Sequence, residues 1–157
     1  MAELRNDSGA LRLGLELVAQ EGEPAGAAAG RLLATAGLEY HDRRDGEWWP
    51  LVRLPPLHLP APAVERLVAD LTSLLAGASQ GFAWRAEDDA AIALQLGAVP
   101  DGAVVEVGVD LGAFLADTAG VPRRPEAELA LFRFRAAQPE LVRFSDALGR
   151  ELEALRR

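Results

Sequence analysis

Residues 11–18 read Leu-Arg-Leu-Gly-Leu-Glu-Leu-Val, with Leu11, Leu13, Leu15 and Leu17 at every second position. This period of two predicts a half-buried strand with one face on a core. Residues 19–30, rich in Gly, Ala and Glu with Pro24 among them, predict a loop. A second apolar run over 31–40 ends at Leu38 and Tyr40, and Gly37 within it predicts a bulge. Residues 41–47 form a charged turn around Asp45-Gly46. Trp48, Trp49, Leu51, Val52 and Leu54 then make a third strand, which Pro50 assigns to an edge or a bulge. Five prolines between positions 50 and 62 predict stiff, extended backbone.

The spacing changes at Pro62. Val64, Leu67, Val68, Leu71, Leu74 and Leu75 recur at i, i+3, i+4 and i+7, and Gly77 stands where a helix C-terminal cap belongs. Alternation returns at Phe82, Trp84 and Ala86, and again at Ile92, Leu94 and Leu96, with Glu87, Asp88 and Asp89 as the turn between. Pro100-Asp101-Gly102 predicts a tight turn into a strand carrying Val105, Val107 and Val109. Residues 110–121 fit either a helical turn or a bulged strand end, and 121–125 read as a loop. Leu129, Leu131 and the run Phe132 to Arg135 form a last strand. A final helix starts near Pro139, with Leu141, Phe144, Leu148, Leu152 and Leu155 on one stripe. Its closing arginines, Arg156 and Arg157, suit the negative end of the helix dipole.

These elements predict one α+β domain over residues 1–157, with residues 1–9 disordered. The expected architecture is a mostly antiparallel sheet of about six to seven strands, its apolar face covered by two amphipathic helices.

Composition narrows the chemistry. The chain has 157 residues, no cysteine, no lysine and two histidines, His41 and His58, so the residues that usually serve as nucleophile, base or metal ligand are scarce. No disulfide or thiolate metal site is available, and a cytoplasmic location is the expectation. The N-terminus carries no apolar signal core, and no apolar run is long enough to span a membrane. A net charge of −8 argues against nucleic acid and anionic lipid as partners and favours encounter with a basic protein.

No catalytic constellation emerges. His41 with Asp42 and Asp45 lacks the further ligands of a metal site, and His58 lies on an extended, proline-flanked segment. The serines lack a nucleophile-elbow context, and no glycine-rich phosphate loop is present. No cofactor is expected. Trp48 and Trp49 are the strongest binding signal: adjacent strand residues point to opposite faces, so one can enter the core and the other meet a partner. The expected contact surface is Trp48 or Trp49 with Asp42, Asp45 and Glu47, then Glu87, Asp88 and Asp89. An alternative is a small-molecule site or a carboxylate/arginine enzyme between sheet and helices, with Arg85, Arg133 and Arg135 holding an anionic ligand. Self-association through the edge near Pro50 or through the C-terminal helix is a third possibility, giving a homodimer.

The order of Trp48 to Leu54, Val64 to Leu75, Phe82 to Leu96 and Leu129 to Leu155 resembles small bacterial immunity-type proteins of the wall-associated-protein kind. The proline-rich segment 50–62 departs from that pattern. The resemblance implies a non-enzymatic protein that binds a toxin or another protein, and it assigns no residue.

Overall fold

A computed structural model describes residues 1–18, 31–85, 91–110 and 129–156. The first strand is β1 (Ala2–Arg5), followed by β2 (Leu11–Val18), β3 (Arg31–His41), β4 (Trp48–Arg53) and β5 (Leu57–Pro60). Helix α1 (Ala61–Leu75) follows, then β6 (Gly81–Arg85), β7 (Ile92–Val99), β8 (Gly102–Asp110), β9 (Leu129–Ala137) and helix α2 (Gln138–Leu155). The α+β class and the antiparallel pairing agree with the sequence. The single sheet does not: β1 to β5 form one antiparallel sheet, here sheet A, and β6 to β9 form a second, sheet B.

Sheet A is ordered β1-β2-β3-β4, with β5 also on β3. The eleven residues of β3 serve two partners along one edge: Gly37 to His41 pair with β4, and Arg31 to Ala34 pair with β5. Pro55 and Pro56 lie between those partners and interrupt what is otherwise one line of pairing. The expected disorder of residues 1–9 is corrected here. Ala2 and Leu4 alternate inward and are fully buried, and β1 pairs with β2 from Ala2↔Leu15 to Arg5↔Arg12. Two apolar residues are too few for periodicity to register, but enough to seal the sheet's edge. The bulge is also displaced. Gly37 pairs regularly with Gly14 and Arg53, and the register shifts between Leu38 and Glu39, leaving Leu51 of β4 as the extra residue. Gly37 instead answers a close approach, because a Cβ there would stand 3.0 Å from the Val52 carbonyl oxygen.

Sheet B is a simple meander, β6-β7-β8-β9. Pro100 and Asp101 (φ 64°) turn β7 into β8 at the Pro-Asp-Gly signal, with Val99 paired to Gly102. The two inner faces share one core. Leu13, Leu38 and Val52 of sheet A, with Leu54 just past β4, line a seam with Ile92, Val107 and Val109 of sheet B. Helix α2 packs on β1 and β2 of one sheet, on β8 and β9 of the other, and on α1, while α1 touches β5 and β6. The helices therefore close the open side of a two-sheet core and do not share one face of a single sheet.

Both helices follow their sequence signals. Val64, Leu67, Leu71 and Leu74 are buried on α1, and Gly77 (φ 71°) ends the helix with its N–H on the Leu74 carbonyl. Leu141, Phe144, Leu148 and Leu152 are buried on α2. Arg156 does not simply meet the helix dipole: its guanidinium pairs with Glu65 and ties the end of α2 to α1. The tryptophan that enters the core is Trp84, 2 % exposed, whose indole N–H donates to the Ala63 carbonyl at 2.7 Å. Among the described residues no helix is long and apolar enough to cross a membrane.

Candidate functional site

The β3–β4 hairpin brings together five of the predicted contact residues. Its turn is held by its own carboxylates. The Asp42 N–H donates to the Glu47 carbonyl, and the Gly46 N–H to the Asp42 carbonyl, each at 2.9 Å. The Asp42 carboxylate accepts the Arg44 N–H at 2.8 Å, and the Asp45 carboxylate accepts the Glu47 N–H at 2.9 Å. Acidic side chains that cap local backbone donors are the reason such residues suit turns. Asp42 and Asp45 therefore have structural work at the tip, where Arg43 and Arg44 also offset their charge.

The two tryptophans do point to opposite faces, but neither is in the core. Trp49 pairs with Tyr40, and Trp48 pairs with His41. Tyr40 follows Ala34, Ala36 and Leu38 on the inward-facing alternation of β3, but it lies past the end of the covered core. Trp49 (52 % exposed) and Tyr40 (44 %) are left as an exposed aromatic pair at the corner of sheet A, and the bulged Leu51 (51 %) is exposed two residues along β4. Trp48 is half-buried on the other face. The Arg12 guanidinium lies 4.2 Å and that of Arg5 5.7 Å from its ring centre, and the His41 ring is tilted against it at 5.0 Å. Arg12 in turn pairs with Glu3 at 3.0 Å and Glu39 at 2.5 Å. That arrangement stabilises the outer face of sheet A and leaves Trp48 largely committed.

Among the described strands β4 pairs with β3 alone, yet its other edge is poorly suited to strand addition. The His41 N–H turns towards β2, donating to Ala10, and Leu54 donates to the Ala36 carbonyl. By alternation Tyr40 faces β4, so the Tyr40–Trp49 pair is hydrogen-bonded and Pro50 turns its nitrogen outward. An outward position without an N–H, followed by a bulge, breaks the row of donors that an added strand needs. Contact here is made by side chains.

Tyr40 and Leu51 were missed by the sequence reading. Counting back across the 42–47 turn would have placed Tyr40 opposite Trp49; the bulge at Leu51 had no equivalent signal. Glu87, Asp88 and Asp89 lie outside the described residues.

The alternative arginine site is relocated. Arg85, Arg133 and Arg135 are exposed on the outer face of sheet B, not between sheet and helices, because their strands alternate with Trp84, Phe132, Phe134 and Ala136 turned inward. Arg135 is engaged, with Asp7 at 3.2 Å and the Pro100 carbonyl at 2.6 Å. Arg85 borders a shallow trough of about 300 Å³ floored by Ala83, Ala93 and Gly108. His58 is exposed on β5, and no group of three or more potential metal ligands occurs among the described residues.

No family model matches this chain, and no curated protein matches it. Among solved structures, the chain is similar to the plant transcriptional regulator PBF-2. The two are 12% identical, the match covers 94% of this chain and 85% of that one, and the TM-score is 0.50. A likeness at that identity is one of fold.

Proposed function

We propose that this chain is a non-catalytic protein-binding module whose contact surface is the β3–β4 hairpin. The observation that carries this reading is the exposed Tyr40–Trp49 pair, with Leu51 also exposed on β4, beside Glu47 and the Asp42–Asp45 turn. Aromatic side chains rimmed by charge are enriched at the energetic centres of protein interfaces. The partner is more basic than this chain, as the net charge of −8 favours, and neutralisation of a toxin in the manner of an immunity protein is one form of that function. Apolar contact supplies the affinity and the acidic balance the rate of encounter.

The test is affinity capture from a lysate of the cells that make the protein, with wild type and Trp49→Ala as parallel baits at low and high salt. A basic protein held by wild type, weakened by salt and lost with Trp49→Ala is the expected result. Reversal of Asp45 and Glu47 to Arg should then slow association with that partner and flatten its salt dependence. A partner retained equally by Trp49→Ala would move the contact surface elsewhere.

A further inference from the structure

The outer face of sheet B is unlike an ordinary solvent face. Three cross-strand rows run over it: Arg85–Ala93–Gly108–Leu131, Ala83–Gln95–Glu106–Arg133 and Gly81–Gly97–Val104–Arg135. An antiparallel sheet with one wet face normally carries polar residues there. Here small residues floor a trough across β6, β7 and β8. At its rim, on β9, stands Leu131, 64 % exposed and the most exposed large aliphatic side chain on any described strand. A knob and a hole lie on one face, beside both an acid, Glu106, and arginines.

That combination is what an isologous interface requires, since a two-fold axis sets one patch against itself. We infer that this face self-associates, a second copy of the chain being its occupant. With the axis parallel to the strands and between β7 and β8, β9 of one copy lies over β6 of the other. Leu131 then packs on Ala83, Ala93 and the aliphatic stem of Arg85 of the second copy, and Glu106 meets that arginine diagonally. Each contact occurs twice. Gly108 sits near the axis, where a side chain would hold the sheets apart.

The patch spans roughly 15 Å by 14 Å, from strand spacings of about 4.8 Å and rises of about 3.4 Å. A few hundred Å² per copy is less than the ~800 Å² of a standard interface. The dimer is therefore weak, with a dissociation constant on the order of 10–100 μM. It is separate from the hairpin surface and does not depend on it.

Sedimentation velocity of the full chain from about 5 to about 500 μM spans that range. The sedimentation coefficient should rise from monomer towards dimer. Leu131→Asp should weaken association at least about tenfold while leaving the unfolding transition in place. Arg85→Glu and Glu106→Arg should each weaken it, and the double variant should recover most of the loss. A monomer at every concentration would overturn the inference. So would a dimer indifferent to Leu131→Asp, or singly reversed charges that are not rescued together.

Discussion

The two sheets have similar inner faces and opposite outer ones. Both inner faces are apolar and share one core. On sheet A the outer face is closed over by its own side chains, with Arg12 bridging Glu3 and Glu39 while stacked on Trp48. On sheet B the corresponding positions are Ala83, Ala93 and Gly108, with Leu131 in solvent and Arg133 only 4.0 Å from Glu106 at its nearest. The same alternation thus produced one face whose charges are joined over an aromatic ring and one floored largely by small residues. A charged side chain held against an aromatic ring and two carboxylates spends its interactions within the molecule. A small residue spends none, so the floor of the trough on sheet B stays uncovered by such contacts.

The sharpest way to break that contrast is to remove the bridging cation. Arg12→Ala deletes the stacking on Trp48 and leaves Glu3 and Glu39 without their shared partner, each about three-quarters buried. A loss of about 2–3 kcal/mol is expected, read as a lower urea midpoint at unchanged slope. Arg12→Lys keeps the charge but not the planar fork that serves both acids, and should lose about 1 kcal/mol. Arg133→Ala on sheet B should stay within about 0.5 kcal/mol of wild type, because that pair is exposed and long. Equal losses for Arg12→Ala and Arg133→Ala would show that the two faces do not differ in this way.

A smaller effect separates the glycines of the two outer faces. Alanine in place of glycine in a strand gains about 0.5–1 kcal/mol from the unfolded chain when the site has room. At Gly108 the new methyl would meet the Leu131 and Ala93 side chains at 3.5 and 3.6 Å and the Ala93 carbonyl oxygen at 3.9 Å, all ordinary contacts. Gly108→Ala should therefore be neutral or slightly stabilising. At Gly37 the same methyl would stand 3.0 Å from the Val52 carbonyl oxygen, a backbone atom held by the β3–β4 pairing. Gly37→Ala should lose about 1–2 kcal/mol, and thermal unfolding of the two variants on either side of wild type would confirm the order.

Much of this fold can be read from period alone, because long amphipathic segments state both their type and their buried face. The stripe of α1 from Val64 to Leu74, that of α2 from Leu141 to Leu152, and the alternation of β2, β7 and β8 are of that kind. Which strands share a sheet is not local information. Nothing in β5 and β6 says that α1 carries the chain from one sheet to the other. β5 itself, Leu57 to Pro60, is concealed among prolines that suit an edge pairing as well as they suit coil. The candidate site divides the same way. The opposite facing of Trp48 and Trp49 follows from adjacency, whereas the covering of Trp48 depends on Arg12, which arrives from a strand 36 residues earlier in the chain.

A small, pH-dependent effect concerns how the satisfied sheet is finished at its edge. β1 stops opposite Leu15, so the Leu17 N–H of β2 lacks a strand partner there, and the Glu151 carboxylate of α2 accepts it at 2.9 Å. The same carboxylate lies 2.6 Å from the Met1 α-ammonium and raises its pKa above the ordinary 8.0, chiefly through the hydrogen bond and against a smaller penalty from burial. A group whose pKa is raised on folding contributes its full stability below its unfolded value, and that contribution fades as pH rises through the folded one. Stability should then decline above about pH 8 in protein that keeps Met1. The window is unusually clear, since the chain has no cysteine or lysine and a single tyrosine, Tyr40. Glu151→Gln retains an acceptor for Leu17 but removes the charge, so it should flatten that slope at a loss of about 0.5 kcal/mol or less. Glu151→Ala removes both functions and should lose about 1–2 kcal/mol at neutral pH, in keeping with an unpaired backbone donor. A slope above pH 8 that survives Glu151→Gln would assign the titration to another group and leave Glu151 with the backbone role alone.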